Sequence, residues 1–441
     1  MKKSQSLSFS TVRHCIGMIF LVVWHGAVSA EILLGSGTRA GQGSMQESLV
    51  YTLLNHAGLG AFRDELYWAQ VEKKEKIYLL PAHLTQLDRL LTNAPSRDIK
   101  SILILDYGNS LYGSGMPLTD ESRAAFCDYA AFAAGRYKGK IAYYELWNEW
   151  NAGMGTKPKK PGSAADYVKL ADACIPRIKA VDPDAKVLVG ATAGYDGPWT
   201  EAALELGVLR HADGFSVHPY VFAHHSDRRP EKAISFLRSL DSQLGRYKPN
   251  VPIIVSEMGW PTSSDSVGIS EQLQADYILR FILLARTIKN VQGISIHALV
   301  DYGTDPANRE HNFGLVRKDL SIKPAYASLA SVADIVRKFD AQQIFSGASS
   351  AIVVNFDTED DEQVFALWAQ ENTAINVNVV TDTLDVIEYI HGDQRLTMGV
   401  QQLNLTGTPF VFKGPRNGFF FPDFGEMTGA APMPPIILSD D

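Results

Sequence analysis

The segment from Ser101 to Trp147 contains a complete strand–helix–strand unit. It begins with SILILD (101–106), a continuous apolar run of the kind found in strands buried on both faces of a parallel sheet. A helix is predicted over 119–137, and IAYYELW (141–147) has the composition of a second strand. Two strands joined through a helix are the basic unit of α/β folds, so this segment predicts an α/β protein.

The same unit recurs along residues 31–339. Further strands are predicted at 31–38, 60–68, 186–190, 214–218, 251–256 and 294–297. Further helices are predicted at 45–57, 82–94, 163–180, 199–209, 231–245, 269–289 and 323–338. Eight strands, each followed by a helix, predict a (β/α)8 TIM barrel. A doubly wound open sheet is the alternative, but Gly35-Ser-Gly37 is too incomplete for the glycine-rich phosphate loop of such sheets.

A different pattern begins after residue 339. Short strands without intervening helices are predicted at 351–356, 363–368, 375–380, 384–388 and 408–412. They predict an antiparallel β-sandwich module over 340–413. Residues 414–441 contain five prolines and end in Ser-Asp-Asp, which favours a C-terminal arm or a poorly ordered tail.

The first 30 residues have the features of a secretory signal peptide. Basic residues precede an apolar run at 15–24, and Val28-Ser-Ala30 supplies small residues for cleavage. The apolar run is shorter than the ~20 residues of a membrane-spanning helix, although a retained anchor is the alternative. We therefore expect export to the periplasm or the medium, with no stable membrane span after the signal is removed.

The charge balance and the cysteines exclude other classes. Without residues 1–30, 38 basic residues face 49 acidic ones, a net charge of −11 that argues against a nucleic-acid partner. Cys127 and Cys174 remain, too few for a disulfide scaffold or a cysteine zinc cluster. They could pair in an oxidising compartment, but two buried free thiols are the commoner outcome and the favoured prediction.

Two carboxylates follow predicted barrel strands on opposite sides of the ring. Glu149 lies in WNEWN (147–151) after strand four, and Glu257 lies in SEMGW (256–260) after strand seven. Catalytic groups of such barrels lie at the C-terminal ends of the strands. One such acid alone would more often be a solvated loop residue. Two that face each other beside aromatic residues predict cleavage of a glycosidic bond.

These motifs resemble those of the retaining glycoside hydrolases of the large (β/α)8 clan. The resemblance rests on WNEWN, on HPY (218–220) and on SEMGW. DYGTD (301–305), EHNFGL (310–315) and KPAY (323–326), together with the trailing β module, are similar to glycoside hydrolase family 39, including periplasmic hydrolases that accompany exopolysaccharide secretion. The resemblance covers nearly all of residues 31–413.

The resemblance implies a role for each matching residue. Glu149 would be the general acid/base and Glu257 the nucleophile. Asn148 would bind the sugar 2-hydroxyl, Tyr220 would orient Glu257, and His218 would line the same subsite. The remaining implied binding residues are Arg63, beside the nucleophile, and four candidate sugar platforms, Trp68, Tyr107, Trp150 and Trp260.

Other chemically interesting residues receive structural interpretations. Glu145 lies deeper in strand four, and we expect it inside the barrel, paired with Arg63 or a hydroxyl. His224 and His225 lack organised carboxylate partners, so neither a metal nor any other cofactor is predicted. Ile296 and His297 stand where family 39 relatives carry aromatic residues on strand eight, which predicts a different floor for the central subsite.

Together these features predict a retaining glycosidase that cleaves β-linked bonds of a polysaccharide or oligosaccharide by double displacement. Endo action on an exopolysaccharide or a cell-surface glycan is the favoured form. A non-catalytic polysaccharide-binding or assembly barrel and a transglycosylase are the alternatives. Sugar identity, linkage and oligomeric state depend on loop shape rather than on these motifs, so no prediction is made for them.

Overall fold

The computed structural model describes residues 31–43, 45–224, 226–345, 351–358, 362–387, 394–415 and 418–421. The predicted signal peptide lies outside these residues. Eight parallel strands close into a barrel in which each strand pairs with the strands before and after it in the chain. They are β1 Leu33–Gly37, β2 Ala61–Tyr67, β3 Lys100–Asp106, β4 Tyr143–Leu146, β5 Val187–Ala193, β6 Gly214–His218, β7 Ile253–Met258 and β8 Val291–Ile296.

Within the described residues, eight long helices surround the barrel, one after each strand, and a short helix Trp68–Val71 with a hairpin of Glu72–Lys74 and Ile77–Tyr78 also follows β2. The long helices are α1 Glu47–His56, α2 Thr85–Asn93, α3 Asp120–Arg136, α4 Ala164–Val181, α5 Gly197–Glu205, α6 Pro230–Gly245, α7 Glu271–Ala285 and α8 Pro324–Lys338. The predicted TIM barrel is confirmed, with most boundaries within a few residues. Helix α5 ends before the predicted residue 209, because Gly207 adopts a left-handed backbone with φ 86° that terminates the helical path.

The barrel interior changes from apolar to charged toward the catalytic end. Ile102, Tyr143, Leu188 and Ile254 form an apolar cluster separate from the main core between strands and helices. Because side chains alternate along a strand, Glu145 lies on the same face of β4 as Tyr143, two residues further on. Its oxygen Oε2 accepts a hydrogen bond from Arg63 Nε at 2.6 Å, as the sequence analysis predicted.

The two cysteines of the described chain form a disulfide, which corrects the favoured prediction of free thiols. Cys127 in α3 and Cys174 in α4 have Cα atoms 4.6 Å apart, and both residues are fully buried. Helices α3 and α4 flank β4 in the chain and pack against each other. That packing brings together two residues separated by 47 positions in sequence.

The residues after α8 form the predicted antiparallel β-sandwich module. Its strands are β9 Ala341–Phe345, β10 Ala351–Phe356, β11 Glu362–Ala369, β12 Thr373–Ile387, β13 Gln394–Leu405, β14 Phe410–Pro415 and β15 Phe419–Phe420. The strands predicted at 375–380 and 384–388 are one long strand, with an irregularity between Val379 and Thr383. Strands β9, β13 and β15 were not predicted. Phe419 and Phe421 are buried in the module core, so the module continues beyond residue 413.

One face of the module packs against the barrel helices. Trp368 is fully buried and its Nε1 donates to Glu231 Oε1 of α6 at 3.3 Å. Glu231 also forms a partly buried ion pair with Arg280 of α7, and Thr408 of the module donates to Asp276 of α7 at 3.1 Å. Throughout the described residues, the helices are too short or too polar to span a membrane.

Candidate active site

Glu149 lies directly after β4 in a left-handed backbone conformation. Its φ is 48° and that of Trp147 is 66°, values that non-glycine residues rarely adopt outside functional sites. The peptide N–H of Glu149 donates to the carbonyl of Ala191 on β5 at 2.9 Å, which fixes this turn of the chain. The Glu149 carboxylate contacts His218 Nδ1 at 3.0 Å and keeps 17% of its side chain exposed.

Glu257 lies on β7, and both of its carboxylate oxygens receive hydrogen bonds. Arg63 Nη1 donates to Oε1, and the Tyr220 hydroxyl donates to Oε2 at 3.0 Å. Burial alone would raise the pKa of Glu257, but the charges of His218 and Arg63 outweigh burial and lower it well below its usual range. The carboxylate is therefore ionised at neutral pH, as attack on a sugar carbon requires.

Arg63, at the centre of β2, connects three functional side chains. Besides Glu145 and Glu257, its Nη2 donates to Asn148 Oδ1 at 2.9 Å. Burial opposes the charge of the guanidinium, but Glu145 and Glu257 outweigh burial and raise its pKa further. With only 4% of its side chain exposed, Arg63 is a fixed positive charge beneath the catalytic end of the barrel. Its five donors in a planar fork suit this bridging role, which a lysine could not reproduce.

His218 lies between the two carboxylates. Its Nδ1 is 3.0 Å from Glu149 Oε1 and 3.8 Å from Glu257 Oε2, while its Nε2 is 3.1 Å from Ser256 Oγ. A nitrogen that faces two carboxylates carries a proton, so Nδ1 is the donor. Burial disfavours the charged imidazolium, but Glu257 and Glu149 outweigh burial and raise the pKa of His218 above its usual value.

The two carboxylates are close enough for a retaining mechanism. One oxygen of Glu149, one oxygen of Glu257 and a nitrogen of His218 all lie within 4.8 Å of one another. Carboxyl groups in retaining enzymes are about 5–5.5 Å apart, whereas inverting enzymes need about 6.5–9.5 Å to admit a water. The spacing therefore fits direct attack by one carboxylate on the sugar.

The same three residues are the one cluster among the described residues with the composition and spacing of a metal site. The Arg63 guanidinium donates to Glu257 and would repel a cation there. Two carboxylates with a histidine N–H and an arginine beside them suit proton transfer and nucleophilic attack better than metal binding. His224 accepts from the peptide N–H of Asp227 at 3.3 Å, and His225 lies outside the described residues.

Three of the four predicted sugar platforms belong to the core. Trp68, Trp150 and Trp260 are at most 1% exposed, so their rings offer no face on which a sugar could stack. Their indole N–H groups donate to Glu72, to the carbonyl of Ser163 and to the carbonyl of Arg228, respectively. We therefore reassign these three residues to the packing that supports the catalytic loops.

Tyr107, the fourth predicted platform, does line an open cavity. Its hydroxyl accepts a hydrogen bond from Asn148 Nδ2 at 2.8 Å. Asn148 is thus held from both ends of its amide, by Tyr107 and by Arg63. The structure consequently brings together Glu149, Glu257, Asn148, Arg63, His218, Tyr220 and Tyr107.

On the β8 side of the site, His297 occupies the predicted altered floor, whereas Tyr302 and Phe313 beside it were not among the predicted site residues. His297 Nδ1 lies 4.0 Å from Glu257 Oε2, and its ring packs edge-on against Tyr220, Tyr302 and Phe313. Burial lowers the pKa of His297 to about 4. The sequence marked His297 only as a departure from the family pattern. Tyr302 and Phe313 stand in the DYGTD and EHNFGL motifs, so a signal for them was present.

Comparison with known families gives a match over the barrel. The family model described as cellulase (glycosyl hydrolase family 5) matches residues 29–292. The match begins before β1 and ends inside β8, so it includes Glu149 and Glu257. No curated protein matches the chain by sequence.

Solved structures of glycoside hydrolases are similar over most of the chain. A family 39 glycoside hydrolase from the gut symbiont Bacteroides cellulosilyticus has a TM-score of 0.73 and 25% identity, over 87% of this chain and 81% of that one. A family 39 β-xylosidase from Caulobacter crescentus has a TM-score of 0.62 and 15% identity, over 88% and 96%. A family 30 endoxylanase from Clostridium papyrosolvens has a TM-score of 0.60 and 11% identity, over 88% and 98%. The last two likenesses concern the fold alone.

Proposed function

The chain belongs to the family of the cellulase model, glycosyl hydrolase family 5, and from this premise we propose that Glu149 and Glu257 cleave β-linked bonds of a polysaccharide. The protein is a retaining O-glycosyl hydrolase of the large (β/α)8 clan, as its sequence motifs predicted. The roles of individual residues, the polymeric substrate and the site of action are the proposed elements.

In the first step, Glu257 attacks the anomeric carbon of the sugar. The bond from that carbon to the leaving oxygen breaks, and Glu149 transfers its proton to this oxygen. Arg63 and Tyr220 hold the attacking carboxylate ionised and correctly oriented. The products of the step are a glycosyl ester on Glu257 and a released chain end, with Glu149 as a carboxylate.

In the second step, water hydrolyses the glycosyl ester on Glu257. Glu149 accepts a proton from the water, whose oxygen attacks the anomeric carbon while the bond to Glu257 breaks. The released sugar has its original anomeric configuration because the carbon has been inverted twice. Asn148, held by Arg63 and Tyr107, is positioned to bind the sugar hydroxyl next to the reacting carbon.

The observation that supports this mechanism most strongly is the spacing of the two carboxylates, within 4.8 Å through their nearest ligand oxygens. The difference in their surroundings supports these roles, because an ionised, doubly hydrogen-bonded Glu257 suits the nucleophile. The predicted export signal and the large cavity beside Tyr107 support endo action on an exopolysaccharide or cell-surface glycan outside the cytoplasm.

A panel of polysaccharides tests the proposal. The purified protein without residues 1–30 is incubated with each polymer, and product sizes and the anomeric configuration of the first products are followed by chromatography and proton NMR. We expect internal cleavage into oligosaccharides with retained configuration. Inverted products would refute the mechanism, and release of single sugars from chain ends would refute endo action.

The same panel separates the two alternative functions. Saturable binding without new reducing ends on any polymer would favour a non-catalytic binding or assembly barrel. Products longer than the starting oligosaccharide would identify transglycosylation, in which a sugar hydroxyl takes the place of water in the second step.

A further inference from the structure

A cavity of about 1260 Å³ lies between the loops that follow β3 and β4. The loop after β3 supplies one wall with Tyr107, and the loop after β4 supplies the other with residues 154–163. The Tyr107 hydroxyl accepts a hydrogen bond from Asn148, the neighbour of Glu149 in sequence. The cavity therefore adjoins the active site through Tyr107, and it is large enough for additional sugar units.

The charge of this cavity is opposite to that of the whole chain, whose formal charge is −8. One segment of the wall carries three exposed lysines, Lys157, Lys159 and Lys160. Among the described residues, none of these lysines forms an ion pair with a carboxylate. Asp166 is the single acidic lining residue, and it is already engaged by Ser163 Oγ at 2.7 Å and Lys169 Nζ at 3.2 Å.

The backbone of the lysine loop, residues 153–160, is held in a defined shape. The Thr156 hydroxyl donates to the carbonyl of Gly153 at 2.6 Å and accepts from the peptide N–H of Lys160 at 2.8 Å. A side chain at Gly153 would collide with the Lys160 backbone, so the close approach requires glycine. The loop thus positions its lysines through backbone contacts, which leaves their ammonium groups available to a ligand.

Two tryptophans fix the residues that directly follow this loop to the barrel. Trp150 Nε1 donates to the carbonyl of Ser163 at 3.0 Å, and the carbonyl of Trp150 accepts from the N–H of Gly162 at 3.0 Å. Trp199 Nε1 donates to the carbonyl of Gly162 at 2.9 Å. Trp150, which follows Glu149 directly, therefore connects the lysine loop to the catalytic turn.

We propose that the cavity is a subsite for a sugar unit with an anionic group, so that the substrate is an acidic glycan. This inference rests on the proposed function, since the subsite is useful when the neighbouring sugar reaches Glu149 and Glu257. The negative surface repels an acidic polymer in general, whereas the lysine loop offers unneutralised positive charge in the cavity that Tyr107 joins to the active site. The contrast between the negative surface and the positive cavity favours an acidic glycan, and it favours a position of that glycan in which the anionic sugar unit lies at the lysine loop.

Binding to three derivatives of one backbone tests the proposal. Carboxymethyl cellulose, cellulose sulfate and neutral hydroxyethyl cellulose are titrated into the Glu257→Gln protein, with or without K157Q, K159Q and K160Q. The matched control carries K138Q, K248Q and K289Q, exposed lysines in loops that precede β4, β7 and β8 at the opposite end of the barrel. Both triple variants lose three positive charges.

We expect the loop variant to bind an anionic derivative about tenfold more weakly, the combined effect of several exposed charge contacts. The difference should shrink as salt rises to about 0.15 M, where screening acts within about 8 Å. The control variant should bind as its parent does. Loss confined to carboxymethyl cellulose assigns a carboxylate as the anionic group, and loss confined to cellulose sulfate assigns a sulfate ester.

Two results would overturn the subsite. Equal weakening in the loop and control variants would show that binding depends on total charge. Unchanged binding in the loop variant would show that its lysines do not bind the polymer.

Hydrolysis is measured separately, with the parent protein and a panel of aryl β-glycosides and polysaccharides. No hydrolysis with loop-dependent binding would refute the proposed function alone. Hydrolysis with loop-independent binding would refute the subsite alone.

Discussion

The ends of β4 and β7 carry the same sequence signal but different chemistry. Each places a glutamate after an apolar strand and close to a buried tryptophan. Glu257 receives hydrogen bonds on both oxygens from Arg63 and Tyr220, whereas Glu149 contacts His218 alone among these groups. The neighbours that make the difference come from β2 and from the loop after β6. The role of a catalytic carboxylate is therefore set by residues distant in sequence.

Removal of the β7 carboxylate should have the largest effect on activity. Glu257→Gln keeps the size of the side chain but removes the nucleophile, so we expect kcat to fall about 10⁴–10⁶-fold, as for loss of other enzyme nucleophiles. The measurement is release of reducing ends from the polysaccharide that the parent cleaves. Glu205→Gln, an exposed position at the end of α5, is the matched control and should retain full activity. Undiminished hydrolysis by Glu257→Gln would refute the role assigned to β7.

The effect on activity of removing the β4 carboxylate should depend on the leaving group of the substrate. Glu149→Gln removes the proton donor, so kcat/KM for poor leaving groups should fall about 10²–10⁴-fold. Aryl glycosides with acidic phenols depart without a proton and should lose far less in the first step. Azide, which attacks without general-base help, should speed the second step in this variant. Equal losses for good and poor leaving groups would contradict the difference between the two strand ends.

Tyr220→Phe should weaken the nucleophile without removing it. The hydroxyl donates to Glu257 Oε2, and hydrogen bonds to charged groups contribute about 1.5–3 kcal/mol, so kcat/KM should fall about 10–100-fold. This hydrogen bond lowers the pKa of Glu257. Its loss should raise that pKa and move the acidic limb of the kcat/KM profile to higher pH.

The matched control for this change is Tyr247→Phe. It also removes a hydrogen bond to a carboxylate, from the Tyr247 hydroxyl to Glu201 at 2.6 Å, but on the loop between α6 and β7 at the other end of the barrel. The control should leave the pH profile of the parent intact. An unmoved acidic limb in Tyr220→Phe would show that the tyrosine does not set the ionisation of Glu257.

Local sequence patterns were sufficient to predict the barrel and the position of both glutamates at the ends of its strands. Strand and helix periodicity appears within about ten residues, and WNEWN and SEMGW are continuous motifs. The burial of Trp150 was not predictable, because it depends on contacts with Ser163 and with the ring of Tyr167 in α4, which in turn packs against Trp199 of α5. The irregular strand β12 was read as two strands, since its pattern is interrupted where the backbone shifts register.

Prediction of the site from sequence was limited mainly by residues that come from distant elements, because their placement depends on the packing of those elements. The position of His297 beside Glu257 follows from the pairing of β8 with β7, in which Ile296 lies opposite Met258 and the N–H of His297 donates to the carbonyl of Met258, a contact that no local pattern records. The pairing of Cys127 with Cys174 likewise depends on how α3 packs on α4. Composition could give only a preference between paired and free thiols.

The disulfide should have the smallest effect on activity and a large one on stability. Within the described residues it braces the helices on either side of β4, whereas no such bond joins α6 and α7 on either side of β7. Closure of a loop of 47 residues implies a loss of about 4 kcal/mol in Cys127→Ser/Cys174→Ser, through the entropy of the unfolded chain. Because the bond lies in the outer helical layer, the ratio of rates on good and poor leaving groups should not change below the unfolding temperature.

Thermal unfolding with and without a reductant measures the contribution of the disulfide to stability, since the reductant should lower the unfolding midpoint of the parent alone. A selective loss on poor leaving groups would instead show that the brace positions Glu149, and that the two strand ends differ in support as well as in their neighbours.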